Sequence, residues 1–166
     1  MPEKKTVERA RKDAREGKAP STQAGEFVRE EMEHIRKGKH GARSTKQAIA
    51  IGLSKARQAG VKLAPPKKGK SSEKTRKQAA RNYAKGQNSP GRKASPTRSR
   101  ATEMALKREG KRAASRSALS RQAHASALSR GATNRRLAAK KAVRTKGASG
   151  LRNAARKAAR TRARGR

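Results

Sequence analysis

Cysteine and tryptophan are absent from this 166-residue chain, and phenylalanine and tyrosine occur once each, as Phe27 and Tyr83. Without cysteine there is neither a disulfide framework nor a thiolate metal site. With two aromatic rings there is no platform on which successive unpaired bases stack, which argues against single-strand recognition. Phe27 is expected to pack a core, and Tyr83 to lie in a basic helix beside Arg81 and Lys85. Large apolar side chains are scarce as well. Hydrophobic residues make up 31% of the chain, but 32 of them are alanine, and 11 of the 19 larger ones precede residue 66. The longest strongly apolar run, residues 48–53, falls far short of the roughly 20 residues that span a bilayer. The basic N-terminus lacks the apolar stretch of a signal peptide, so a cytoplasmic location is expected. No Gly-rich phosphate loop, nucleophile elbow or paired-carboxylate arrangement occurs, and the chain is read as a non-enzyme that needs no cofactor.

Acids are the last scarcity. There are 11 Asp+Glu against 48 Lys+Arg, for a formal net charge of +37. The imbalance is concentrated: residues 66–166 hold 32 of the bases and 3 of the acids. A surplus of that size seeks polyanions, and each phosphate contact releases condensed counterions without any base being read. Nucleic acid is therefore the expected partner, DNA favoured over RNA, with a nucleoid location. Arginine should dominate the contacts, because 19 of the 32 bases are Arg and a guanidinium can bridge phosphate oxygens. The expected contacts begin with Lys67, Lys68 and Lys70, then Arg92, Lys93, Arg98 and Arg100. They continue through Arg116, Arg121, Arg130, Arg135, Arg136, Lys140, Lys141 and Arg144. The last are Arg152, Arg156, Lys157, Arg160, Arg162 and Arg164. Adsorption to anionic membrane is disfavoured, since no segment pairs the bases with an apolar Trp or Phe face.

Residues 1–20 read as a charged arm, with a short helix supported by a Glu8–Lys12 pair and ended by Gly17. Residues 21–64 read as a helical hairpin. In its first helix Phe27, Val28, Met32 and Ile35 fall on one stripe, Ser21 or Thr22 supplies the cap, and Gly38 supplies the left-handed stop. The acids Glu26, Glu30, Glu31 and Glu33 balance nearby bases and favour the helix start. Ser44-Thr45-Lys46-Gln47 reads as a capping box. It opens a second helix that carries Ile49, Leu53 and Ala56 on one face and stops at Gly60, with Val61 and Leu63 closing over the end. Lys46, Lys55 and Arg57 on this helix are further phosphate contacts, and its N-terminus near Ser44 is an anion-accepting end. Ile51 lies off the apolar stripe and is the cue for an alternative function, a protein partner docking on the hairpin.

Pro65-Pro66 and the basic run after it mark a boundary. Residues 65–100 read as a linker with a short helix over 72–85, capped by Ser72 and stopped by Gly86. Within it Ser89-Pro90-Gly91-Arg92 and Ser95-Pro96-Thr97-Arg98 resemble the Ser-Pro-x-basic turns of linker-histone tails, which place a basic side chain in the minor groove. Residues 101–166 are rich in Ala, Arg, Lys and Ser, with Ser-Ala-Leu-Ser-Arg at 117–121 and again at 126–130. Ala, Arg and Lys favour helix, but Arg152, Arg156, Arg160 and Arg164 would stack like charges on one face. The expected fold class is mostly α: a small helical hairpin followed by a long, largely disordered basic tail that becomes helical on binding.

Glu30, Glu31 and His34 have the spacing of a carboxylate-bridged metal helix, but such sites draw on a second copy of the motif. His40 and His124 have no matching acids in the sequence. No metal is expected, and an ion pair is the reading. The wording of residues 21–63, with Lys39-His40-Gly41 and Ser44-Thr45-Lys46-Gln47-Ala48-Ile49-Ala50-Ile51-Gly52-Leu53, resembles an uncharacterised family of small basic bacterial proteins, a domain of unknown function. That resemblance implies a bacterial origin and a DNA-binding role, and carries no catalytic or binding residues with it. The tail resembles histone-H1-like bacterial nucleoid proteins in composition alone. RNA or ribosome association is the alternative within the same charge argument, because phosphate contacts do not separate the two polymers.

Overall fold

The computed structural model describes residues 2–88 and 95–164. Every regular element among them is helical. The chain divides into two compact units, residues 1–120 and 121–166.

In the first unit α1 spans Lys4–Arg15, α2 Pro20–Arg36, α3 Thr45–Gln58, α4 Glu73–Asn88 and α5 Pro96–Lys107, followed by a 3-10 turn over Lys111–Ala114 and the start of α6, Arg116–Ser129. The expected hairpin is α2 and α3. Its cap differs from the expectation: α2 begins earlier, with Pro20 in the first turn and no side-chain cap. Proline is suited to that position because its missing N–H has no intrahelical partner there. The capping box at α3 forms, with Gln47 N donating to Ser44 Oγ at 3.2 Å and the Gln47 carboxamide accepting from Arg43 N at 2.8 Å. The reciprocal bond thus falls one residue ahead of the cap. In α1 the ion pair is Lys12–Glu16 rather than Glu8–Lys12.

The apolar stripes pack as the periodicity predicts. Phe27, Met32 and Ile35 are buried on α2, and Val28 packs beside them. Ala56 is buried on α3 with Leu53 against it, and Val61 and Leu63 close the end. Among the described residues, eight of the twelve buried hydrophobic ones are alanine. A core of such small side chains requires the helices to come close. At Gly52 an added Cβ would sit 2.7 Å from the Val28 Cα, so α3 lies against the α2 backbone itself.

The helix pair does not stand alone. Ala10 of α1 joins Ala24, Phe27, Ala56 and Val61 in one cluster. Ala113 and Ala114, inside the segment expected to be tail, join Met32, Ile35, Ala42 and Ala48 in the other. Backbone bonds hold them there: Gly41 N donates to the Leu106 carbonyl at 2.8 Å and Ala42 N to the Gly110 carbonyl at 3.2 Å. Thr45 Oγ1 donates to the Ala113 carbonyl at 2.7 Å, and Arg36 Nε to the Ala114 carbonyl at 2.9 Å. On α3, α4 adds Asn82, whose Nδ2 donates to Ser54 Oγ at 2.7 Å. α4 is capped by Ser72 as expected. It does not stop at Gly86; that glycine is buried where a Cβ would meet the Arg57 carbonyl oxygen.

The second unit contains the remainder of α6 and α7, Gly131–Arg164, which is two helical stretches joined at Gly147 with φ 63° and ψ 176°. The largely disordered tail expected from charge is therefore corrected to helix. Alanine at about a third of these positions favours helix, and each like-charge pair at i,i+4 costs only a few tenths of a kcal/mol. Thr145 Oγ1 and Thr161 Oγ1 also donate to the carbonyls of Lys141 and Lys157. Neither α6 nor α7 buries a residue completely; α6 is anchored near its start by Leu119, which packs on the hairpin core, whereas α7 rests on local terms. The part of the 65–100 linker expected to follow Gly86 is corrected in part: Gln87 and Asn88 belong to α4, and Ser95-Pro96 opens α5. Residues 89–94, including Ser89-Pro90-Gly91-Arg92 and Lys93, lie outside the described residues. Among the described residues no helix is long and apolar enough to cross a membrane.

Two substitutions test this packing by urea unfolding. Gly52→Ala is expected to destabilise by about 1–3 kcal/mol, because the neighbouring Val28 backbone cannot yield. Ala114→Leu should cost about as much if the 3-10 turn is core. An unchanged midpoint for Ala114→Leu would mean that the turn is detached from the hairpin.

Candidate nucleic-acid interface

Charge is distributed along the chain according to where the acids are. In the first unit most acids are paired with bases of the same unit. Glu26 is paired with Arg9, Glu33 with Arg29 at 3.3 Å, and Lys18 with Asp13 and Glu16 at 2.7 and 2.8 Å. Glu30 is buried and accepts from the Glu3 backbone N–H at 3.2 Å. Glu31 is fully buried and accepts from Lys55 Nζ at 2.5 Å. Glu3 carries hydrogen bonds from His34 and Lys39, which hold its carboxyl down to about 2. After Glu109 there is no acid at all, while residues 110–166 carry 18 Lys+Arg.

Two of the three hairpin bases expected to reach phosphate are withdrawn from that role. Lys55 is bound to Glu31. Arg57 is buried, and its guanidinium donates to the carbonyls of Leu63 and Ala64 at 3.1 and 3.4 Å. Burial pushes it below its ordinary pKa. Lys46 remains exposed. The N-terminus of α3 is already occupied by the Ser44–Gln47 cap. Ile51 is half-buried, and α4 covers α3 along Ser54 and Arg57.

The remaining expected contacts that fall within the described residues are exposed. Lys67, Lys68 and Lys70 lie in the loop between α3 and α4. Arg98 and Arg100 lie on α5, and Arg116 and Arg121 on α6. Arg135, Arg136, Lys140, Lys141 and Arg144 precede the Gly147 break in α7. Arg152, Arg156, Lys157, Arg160, Arg162 and Arg164 follow the break. Arg130 and Arg135 have a competing task. Arg130 Nε donates to the Ser126 carbonyl at 3.2 Å, and Arg135 to those of Ala127 and Leu128 at 3.3 and 3.4 Å. They satisfy the carbonyls that a helix C-terminus leaves without intrahelical partners. Arg92 and Lys93 lie outside the described residues.

At roughly 100° per residue, Arg152, Arg156, Arg160, Arg164 and Lys157 share one arc of about 140° on the second stretch of α7. Ala154, Ala155 and Ala158 lie opposite, with Arg162 among them, and Ala159 flanks the arc beside Arg152. That stretch therefore presents a predominantly one-sided basic face with a compact backing. Sequence spacing alone pointed to this face. It gave no sign that Lys55 and Arg57 turn inward, because their partners, Glu31 and the 63–64 carbonyls, are brought to them by the fold.

Substituting Lys55 by Gln should leave Glu31 buried with a weakened partner and lower stability by about 1–3 kcal/mol. The salt dependence of nucleic-acid binding should not change. A reduced salt slope for this variant, measured by anisotropy, would show that Lys55 faces phosphate instead.

No curated protein and no solved structure matches the chain. Residues 3–68, which take in α1, α2, α3 and the start of the following loop, match the model of a family of unknown function, DUF6496.

Proposed function

We propose that the chain is a non-catalytic, histone-like nucleic-acid-binding protein that compacts or shields DNA through phosphate contacts, within the nucleoid of a bacterial cell. The observation that carries this reading is the run of 18 Lys+Arg without one acid over residues 110–166, those of α6 and α7 exposed on helices that bury no residue completely. Among the described residues none of these bases forms an ion pair with an acid. Binding by such a surface is sequence-independent and salt-dependent, because released counterions supply the free energy.

Helicity favours DNA over RNA. An α-helix with its side chains is about 10–12 Å across, and the major groove of B-form DNA is about 12 Å wide. The A-form major groove of duplex RNA is too narrow and deep for side chains to read. The basic arc of α7 can lie along the DNA groove and face phosphates on its rim. The Ser95-Pro96 motif contributes differently from a linker-histone turn, because it starts α5 and so presents Arg98 and Arg100 from a helix.

Anisotropy with unrelated duplex DNAs over a salt series tests the proposal. Affinity should fall steeply with salt and be the same for each sequence. Replacing Arg152, Arg156, Arg160 and Arg164 by Gln should reduce the log–log salt slope by about 0.9 for each phosphate no longer neutralised. Duplex RNA of matched length should bind more weakly. Tighter RNA binding would replace the nucleoid reading by a ribosomal one, and salt-insensitive or absent binding would overturn both.

A further inference from the structure

The two histidines of the first unit, His34 and His40, meet edge-on with ring centroids 6.1 Å apart and an interplanar angle of 86°. Acids flank both. Glu31 Oε1 is 3.3 Å from His40 Nε2, and Glu3 Oε1 is 2.9 Å from His34 Nε2. The imidazoles are mostly buried, and the Glu31 side chain is 0% exposed. Glu31, His34 and His40 each direct one donor atom into a space where all three lie within 4.8 Å of one another. The sequence reading, in which His40 has no matching acid, is corrected here. The α2–α3 loop, pinned by the 106–110 backbone, carries His40 back over Glu31.

The buried carboxylate distinguishes this cluster from an ordinary ion pair. Lys55 satisfies Glu31 Oε2, but Oε1 has no hydrogen-bond partner among the described residues. An unpaired buried acceptor costs roughly 1–3 kcal/mol, and more when charged. His40 does not supply the bond. Its Nδ1 lies 3.0 Å from the Gly41 carbonyl oxygen, which can only accept, so Nδ1 carries the proton of the neutral ring and Nε2 is a bare lone pair. Two lone pairs then face each other across 3.3 Å. Even a protonated Nε2 would donate poorly, because hydrogen bonding needs alignment as well as distance.

A cation resolves that conflict. Around a tetrahedral zinc, with bonds of roughly 2.0–2.2 Å, adjacent donors stand roughly 3.3 Å apart, the separation found between Glu31 Oε1 and His40 Nε2. We propose that Glu31 Oε1, His40 Nε2 and a ring nitrogen of His34 form a site for a divalent metal of the zinc class. Two imidazoles and one carboxylate favour such a metal over magnesium or calcium, which take oxygen donors. The outer contacts that orient metal-bound histidines are present, the Gly41 carbonyl on His40 and the Glu3 carboxylate beside His34. The metal would join α2 to the α2–α3 loop. This proposal is independent of the nucleic-acid reading, since every donor lies in the first unit and none belongs to the basic surface.

The test uses the untagged full-length protein, stripped with a chelator and titrated with zinc in competition with a chromophoric chelator. One saturable site is expected, together with a rise in the thermal unfolding midpoint. Affinity should fall at least about tenfold, the loss typical of removing even an outer partner, in each of Glu31→Gln, His34→Ala and His40→Ala. His124→Ala, remote in the sequence, should bind as the parent does. Far-UV circular dichroism identifies any variant that fails to fold. Should Glu31→Gln unfold, the variants of the two less deeply buried histidines decide. No saturable binding, or an affinity that a folded His40→Ala retains, would overturn the proposal.

Discussion

The close crossing of α2 and α3 is the constraint on which the first unit depends. The chain has few large apolar side chains, so it cannot fill a wide space between helices. It buries alanine instead, and alanine fills a core only when backbones nearly touch. Gly52 permits that approach, because a Cβ there would meet the Val28 backbone. Ala24, Ala48 and Ala56, each fully buried, then contribute dispersion contacts that longer separations would forfeit. The same economy recurs at Gly41 against the Glu109 carbonyl and at Gly86 against that of Arg57. Small residues where helices touch replace large residues in a core.

From this crossing follows the arrangement of charge. Bringing α3 onto α2 buries Glu31 and sets Lys55 against one of its oxygens. The other oxygen is left to the His40 loop. Burial of a charged group is tolerable only with such partners, and that requirement draws bases inward in the first unit. In the second unit there are no acids to draw them in, and arginine and lysine stay in solvent. Two regimes of the same residue types coexist on one chain: bases that close a fold, and bases left exposed without an acid beside them in the sequence.

The helical hairpin was legible because its signals are local and agree with one another. The Phe27–Ile35 stripe, the Ser44–Gln47 box and the Gly38 and Gly60 stops, both with positive φ, each concern residues within one or two turns. The basic character of 110–166 was equally legible, being a matter of count. Less so was the state of the tail. Weak helix propensity and weak repulsion oppose each other at every turn of α7, and a sequence reading weighted the repulsion too heavily.

Composition and periodicity by themselves determined the α class, the hairpin, the absence of a cysteine chemistry and a large surplus of positive charge. Tertiary structure alone decided which groups meet across long stretches of chain. Ala113 and Ala114 look like any alanines of a basic tail, yet Thr45 and Arg36 hold their carbonyls on the hairpin. His40 looks unaccompanied until the loop that carries it is pinned beside Glu31. The reason is physical. Helix signals repeat within about four residues, whereas a buried carboxylate accepts whatever donor the fold brings, from 24 residues away in the case of Lys55.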